Sequence, residues 1–147
     1  MRGLLQRVRR AAVHVAAVEV GAIGPGVLLL VGFAPDDTPA RAEALLDRVL
    51  HYRLFADAEG RMNHSLVDTG GGLLIVSQFT LLADTRKGLR PSFTPAAPPA
   101  QARALYDHLV ATARARHRPV ASGVFGADMQ VELINDGPVT LLLDVPG

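Results

Sequence analysis

The chain has 147 residues, 49% of them hydrophobic and 20% charged, with a formal net charge of +1; a chain of this length forms one ordinary domain that buries roughly 70% of the surface its unfolded form exposes. It contains no cysteine, which excludes disulfides, thiolate zinc sites and a cysteine nucleophile together and fits a reducing compartment. The near-neutral charge argues against indiscriminate coating of nucleic acid, although a local basic patch stays open. Met1 to Leu5 is followed at once by Gln6-Arg7-Val8-Arg9-Arg10, so no signal-type apolar region forms and no run is long enough to span a bilayer; the cytoplasm is the expected location and a membrane is not an expected partner.

Leu4 to Val20 contains alternating and β-branched stretches, and Val27 to Val31 is a short apolar run after the turn signal Gly24-Pro25-Gly26; both read as strands of one sheet. Asp37-Thr38-Pro39 offers an N-cap and a proline for the first helical turn. Ala42, Leu45, Leu46, Val49 and Leu50, continued by Leu54, then have the spacing of one helix face. Phe55 to Asn63 reads as a polar turn region, and Gly70-Gly71-Gly72 leads into another strand. Thr85 to Pro99 is a loop rich in glycine, proline and cations. A second helix follows with Ala102, Leu105, Tyr106, Leu109, Val110 and Ala113 as its buried stripe. It closes on Arg114, Arg116, His117 and Arg118, which suit the negative end of the helix dipole, and Pro119 stops it. Val120 to Val124, Met129 to Ile134 and Val139 to Val145 read as three final strands. The expectation is a single α+β domain over residues 1–147, with a β-rich body of mostly antiparallel sheets or a barrel and two main packed helices.

The most informative segment is Leu73 to Leu82, which reads as a buried strand except for Ser77, Gln78 and Thr80 in its middle. A strand buried on both faces is normally a continuous aliphatic run, and an unpaired polar group there costs on the order of 1 to 3 kcal/mol. Either these side chains are satisfied internally or they line a pocket. On a continuous strand Gln78 and Thr80 would share one face, and Ser77 and Phe79 the other.

Other candidates are weaker taken singly. His14, His51, His64, His108 and His117 never fall within four residues of one another, so there is no helical metal pair and no local zinc site; only His64, in a loop, stands as a site candidate. Hydrolase elbows and phosphate-binding glycine loops are absent. Asn135-Asp136-Gly137-Pro138-Val139-Thr140 lies between two strand-like runs and reads as a tight turn. Arg86, Lys87 and Arg90 cluster with Phe93 in the loop that follows the polar strand, either as a solvated face or as an anion-binding patch suited to a phosphate backbone.

Read together, these segments resemble the D-aminoacyl-tRNA deacylase family of the bacterial and eukaryotic type. The resemblance runs through Gln6-Arg7-Val8, Gly21 to Gly26, Arg61-Met62-Asn63, Ser77-Gln78-Phe79-Thr80-Leu81, Ala83-Asp84-Thr85, Arg90-Pro91-Ser92-Phe93, Ala96 to Pro99, Phe125 to Met129 and Asn135 to Thr140. It implies that family's fold and a homodimer with active sites at the subunit interface. It further implies hydrolysis of the ester between a D-amino acid, or glycine, and the terminal adenosine of tRNA, with no metal or other cofactor and no DNA partner. Ser77, Gln78, Phe79 and Thr80 would line the ester pocket. Gly137 and Pro138, joined by a cis peptide bond, would enter the partner's pocket as a chirality filter, oriented by Arg7. Phe125 and Met129 would lie near the adenine, and Arg86, Lys87 and Arg90 near the RNA.

An aminoacyl ester is already activated, so backbone donors near Phe79 and Thr80 and the substrate's own 2′-hydroxyl would suffice without a protein base. Two departures stand out: Ala16-Ala17 where the family often has Asp-Gly, and His64 where it has an apolar residue. Two rival readings are a noncatalytic RNA-end binding module and a small-ester hydrolase with Ser77 or Thr80 as nucleophile.

Overall fold

A computed structural model describes residues 1–145. In chain order the elements are β1 (Arg2–Val15), β2 (Val18–Ile23), β3 (Gly26–Gly32), α1 (Pro39–His51), β4 (Phe55–Ala56), β5 (Met62–His64), α2 (Leu66–Thr69), β6 (Gly72–Ser77), a 3₁₀ turn (Phe79–Leu82), α3 (Pro99–Arg116), β7 (Val120–Ser122) and β8 (Gln130–Asp144). The two expected helices are present on the expected residues. Thr38 caps α1, its Oγ1 accepting from the Arg41 amide at 3.3 Å. Among the described residues, no helix is long and apolar enough to cross a membrane.

The main sheet has six strands. Its path runs β2-β1-β3-β6-β7, and β8 pairs with β1. β1 lies antiparallel to β2, β3 and β8, while β3, β6 and β7 run parallel. Parallel neighbours need long crossovers, and α1 and α3 supply them. Both helices therefore pack on one face of the sheet. Val27, Leu29 and Val31 of β3 and Leu73 and Ile75 of β6 join the core beneath the helices, whereas Leu28, Leu74 and Val76 face a second core with Val8, Ala11, Val13 and Ile23. Alternate residues of β6 thus serve two cores, which is why its sequence is continuously apolar. The sheet curls until β2 comes against β7, where a Cβ at Gly21 would stand 2.6 Å from the Ser122 carbonyl oxygen. The barrel-like body is nearly closed.

Three expectations need correction. The strand read as Leu73 to Leu82 ends at Ser77, and Phe79–Leu82 is a 3₁₀ turn. The turn packs back across the end of β3 at Gly32, where a Cβ would lie 2.7 Å from the Gln78 carbonyl oxygen and collide with Leu82. Gln78 and Thr80 consequently do not share a strand face. The polar region Phe55 to Asn63 holds the small antiparallel ladder β4–β5. The last two predicted strands are one, β8, running through Asn135 to Thr140, so that segment is an interruption within a strand and not a turn between two.

The first hairpin keeps a two-residue loop in spite of its alanines. Val15 pairs with Val18, and Ala16 and Ala17 adopt φ of 48° and 65°. Two positive φ values are the requirement of a type I′ turn, which matches the right-handed twist of the flanking strands and favours Asn-Gly or Asp-Gly. The left-handed region costs an L-residue with a Cβ roughly 1 to 2 kcal/mol. Replacing Ala16→Asn and Ala17→Gly together is expected to raise unfolding free energy by about 1 to 2 kcal/mol. Urea denaturation of the double variant checks this, and an unchanged midpoint would refute the turn assignment.

Candidate active site

The principal cavity, of about 630 Å³, opens beyond the carboxyl end of β6. Crevices outside the C-terminal ends of parallel strands are common ligand sites, because the chain there leaves the sheet and exposes backbone groups. Ser77, Gln78 and Phe79 form one wall, and Phe125 and Met129 stand with Asp128 on another. Phe93, Ala97 and Ala102 contribute to the lining from the long loop and α3. The site therefore brings together five of the sequence-predicted residues from segments about fifty positions apart.

The wall at Ser77 is set by hydrogen bonds of the backbone. The Gln78 amide donates to the Val31 carbonyl at 2.8 Å, extending the parallel pairing by one residue before the chain turns. Leu81 and Ala83 then donate to the Gln78 and Thr80 carbonyls. Among the described residues, the Phe79 and Thr80 amides have no backbone acceptor. These are the unsatisfied donors at the start of a helical turn, suited to hold an anion or a developing oxyanion. The Gln78 side-chain amide donates to Thr80 Oγ1. That contact fixes both groups beside the turn and answers the question that their polarity raised.

The opposite wall rests on Tyr106 and Gly123. Tyr106, only 3% exposed, donates from its hydroxyl to the Ile75 carbonyl at 2.8 Å, and its ring lies 5.9 Å from that of Phe125. Burial, the largest influence, pushes the phenol up to about 12. The Gly123 amide donates to the Ile75 carbonyl at 3.0 Å, and a Cβ at Gly123 would stand 2.7 Å from Met129 Sδ. Neither Tyr106 nor Gly123 is among the predicted site residues. Tyr106 reads from sequence as one more member of a helix stripe, and the lone glycine offers no signal.

The loop after the 3₁₀ turn is pinched at its base by paired backbone bonds between Asp84 and Ser92, and Phe93 meets Phe79 edge-on at 5.0 Å. Its cations are not equivalent. Arg86 is engaged with Asp84 at 2.7 and 2.9 Å, and this hydrogen bonding holds the Asp84 carboxyl down at about 2. Lys87 and Arg90 are exposed. None of the five histidines lines the cavity; His64 sits on β5 within 4.0 Å of Asp68. Asp128 is a carboxylate at the rim that sequence reasoning did not single out.

Gly137 and Pro138 do not line this cavity. They sit exposed in an offset of β8 against β1: Gln6 pairs with Thr140 and Val8 with Asn135, so β1 advances two residues while β8 advances five. The looped-out segment is bound at its base by Asn135, whose side chain donates to Thr140 Oγ1 at 2.9 Å and accepts from the Val139 amide at 3.2 Å. Arg7 fastens it from β1, donating from Nε to the Asp136 carbonyl at 3.1 Å and from Nη1 to the Leu54 carbonyl at 2.6 Å. Gly137 has φ 128°, and a Cβ there would lie 3.0 Å from Arg7 Nη2. The Gly137-Pro138 peptide bond is cis, as is Arg118-Pro119.

A nearly closed β-body with two crossover helices, a cavity at a strand's carboxyl end and a clamped outward loop define a compact single domain. Residues 4–144 match the family model described as D-Tyr-tRNA(Tyr) deacylase. The chain is 62% identical over 143 residues, 97% of its own length and 99% of the relative's, to a D-aminoacyl-tRNA deacylase of Pseudomonas fluorescens (strain Pf0-1). It is 64% identical over 144 residues, 98% and 99% of the two chains, to one of Azotobacter vinelandii (strain DJ / ATCC BAA-1303). A solved structure described as c-Myc DNA Unwinding Element Binding Protein superposes with a TM-score of 0.94 at 39% identity over 100% of both chains. A probable eukaryotic D-amino acid tRNA deacylase superposes at 0.85 with 22% identity over 98% of both. The chain belongs to the D-Tyr-tRNA(Tyr) deacylase family.

Because Tyr106 titrates higher when folded than its ordinary value of 10, burial favours the protonated phenol. The stabilisation is complete below pH 10 and is lost as pH rises through about 12. Unfolding free energy is expected to fall across that window, and Tyr106→Phe to flatten the fall. Urea titrations at a series of alkaline pH values check this; an equally steep loss in the variant would show that Tyr106 is not its source.

Proposed function

We propose that the protein hydrolyses the ester between a D-amino acid, or glycine, and the 3′-terminal adenosine of tRNA, and that it works as a cytoplasmic homodimer with each site completed by the partner. The observation that carries this reading is the pairing of two walls in one cavity: Ser77 to Phe79, where the chain enters a turn whose Phe79 and Thr80 amides are unpaired, and Phe125 with Met129 opposite; Thr80 itself stands outside the lining. The aromatic and thioether wall suits the adenine face. The amides of Phe79 and Thr80 suit the carbonyl oxygen of the ester, where negative charge develops during attack.

In the proposed reaction a water oxygen attacks the ester carbonyl carbon, and its proton passes to the ribose side, the vicinal 2′-hydroxyl assisting. The tetrahedral species collapses by breaking the bond to the ribose oxygen, which takes a proton and leaves as the tRNA terminal hydroxyl. The amino acid leaves as its carboxylate, the water's second proton passing to solvent. The ester is activated, so holding it against preorganised donors supplies most of the acceleration. With Gln78 donating to Thr80 Oγ1 and Thr80 itself outside the cavity lining, a covalent threonine route is disfavoured.

Chirality follows from where rigid backbone stands. In our reading the partner's Gly137-Pro138 segment projects into the cavity and its carbonyl oxygens crowd one side of the substrate α-carbon. An L side chain meets that backbone, a D side chain points away, and glycine has nothing to exclude, so selection does not depend on side-chain identity. The exposure of Gly137 and Pro138 and their absence from this chain's own cavity support an intersubunit role. Lys87 and Arg90, with Arg86 beside Asp84, are proposed tRNA contacts.

Purified protein is expected to deacylate D-tyrosyl-tRNA and to spare L-tyrosyl-tRNA. Equal turnover of the two, or of neither, would refute the reading, and rapid cleavage of a small ester lacking RNA would favour the nucleophilic hydrolase. Arg7→Ala removes the guanidinium that holds the Asp136 and Leu54 carbonyls. It is expected to reduce discrimination between D and L esters by about tenfold, equivalent to ~1.4 kcal/mol, with a smaller effect on the D rate. Competing deacylation of both esters measures it, and undiminished discrimination would remove Arg7 from the filter.

A further inference from the structure

A second depression, of about 370 Å³, lies beyond Phe125 and runs along one face of α3. Arg103, Asp107 and Arg114 line it from the helix, and Ser122 to Phe125 form its other side. The two arginines are eleven positions apart, ~16 Å along a helix that rises 1.5 Å per residue, and helical periodicity puts both on the groove side. Phe125 lines both depressions, so the groove continues from the rim of the candidate active site.

Some surface cations are neutralised locally and others, those of this groove among them, are not. Arg2, Arg10, Arg41 and Arg86 each pair with a carboxylate. Among the described residues, Arg103 and Arg114 pair with none, although Asp107 lies between them. The Arg103 guanidinium carbon stands 5.9 Å from the centre of the Phe125 ring, and Arg114 Nη2 donates to Ser122 Oγ at 3.3 Å. Two guanidinium groups, each able to present a planar fork of donors to a phosphate, face one groove that carries a single opposing charge. An aromatic ring at the head of a basic groove is the arrangement that accepts a single strand, stacking a base and following the backbone.

We infer that this groove binds the phosphodiester backbone of the single-stranded tRNA end immediately preceding the terminal nucleotide, with Arg103 and Arg114 as its phosphate ligands. The inference rests on the proposal that the terminal adenosine occupies the cavity between Ser77 and Met129; a strand leaving that cavity past Phe125 enters the groove. It assigns to α3 a second role besides covering the core, that of measuring whether an ester is attached to RNA.

The test compares D-tyrosyl-tRNA with D-tyrosyl-adenosine, which has the ester and the base but no phosphodiester. In the double variant Arg103→Gln with Arg114→Gln, kcat/KM for the tRNA ester is expected to fall about tenfold further than for the adenosine ester, with the loss in KM. The slope of log affinity for uncharged tRNA against log salt is expected to shrink by about 1.4, since each single-strand phosphate contact contributes about 0.7. Each single variant should show half that change, and lysine at both positions should restore most of it. Equal losses on the two esters together with an unchanged salt slope overturn the groove and leave the deacylase reading standing. Wild-type protein inactive on both esters overturns the deacylase reading, and the salt slope for uncharged tRNA then decides the groove by itself.

Discussion

Burial of β6 on both faces is the constraint from which the site follows. Leu73 and Ile75 are committed to the core under the helices, and Leu74 and Val76 to the second core. Every residue of such a strand must be apolar, so the first polar side chains mark where it has to end. Ser77 is that end. The backbone then needs new acceptors; it takes one more bond, from the Gln78 amide to Val31, and tightens into a 3₁₀ turn whose leading amides stay unpaired. Gly32 permits this, because a side chain at the end of β3 would occupy the space of Gln78 and Leu82. The unsatisfied donors that line the cavity are therefore a consequence of how the doubly buried strand terminates.

The looped-out segment of β8 arises from an opposite condition, a strand with more residues than its partner can pair. β8 carries three residues more than β1 between the pairs at Gln6 and Val8. They can only leave the sheet, and Asn135 and Thr140 close the ladder beneath them. Arg7 turns the loop into a fixed object by donating to a carbonyl inside it and to another at Leu54, beyond α1. Half-buried guanidinium groups suit this work, since their several planar donors hold carbonyls from separate segments at once. Both features are made chiefly of backbone, positioned by side chains that need not touch a substrate.

That division explains what could be read from the sequence. The helices were legible because their apolar stripes have the 3.6-residue period, and the parallel core strands because they are continuously aliphatic. Ser77 to Phe79 stood out because polar groups interrupt an aliphatic run, and they line the candidate cavity together with Phe125 and Met129, which only the family resemblance singled out. The end of β6 was not, since a 3₁₀ turn and a strand both tolerate the sequence Phe-Thr-Leu-Leu and the deciding contact, at Gly32, lies some forty-five positions upstream. The continuity of β8 through Asn135 to Thr140 was hidden for a similar reason: Asn-Asp-Gly-Pro has turn chemistry, and only the pairing with β1 reveals a single strand. Tyr106 and Gly123 were missed because supporting a wall requires only burial, a carbonyl within reach and an absent Cβ, none of which leaves a local pattern.

On the proposed reaction, the placing of charge has its own logic. The cavity walls are largely apolar and carry unpaired amides, whereas the cations stand outside it, on the loop at Lys87 and Arg90 and along α3 at Arg103 and Arg114. A guanidinium beside the ester would stabilise the carbonyl oxygen of an L substrate as readily as that of a D substrate, and would accelerate hydrolysis of the correct product of charging. Fixed amide donors act only on an ester already seated in line with them. Placing the long-range attraction on the RNA and the short-range stabilisation on backbone amides lets affinity come from the common part of every substrate, and leaves acceptance to the geometry around a single carbon atom.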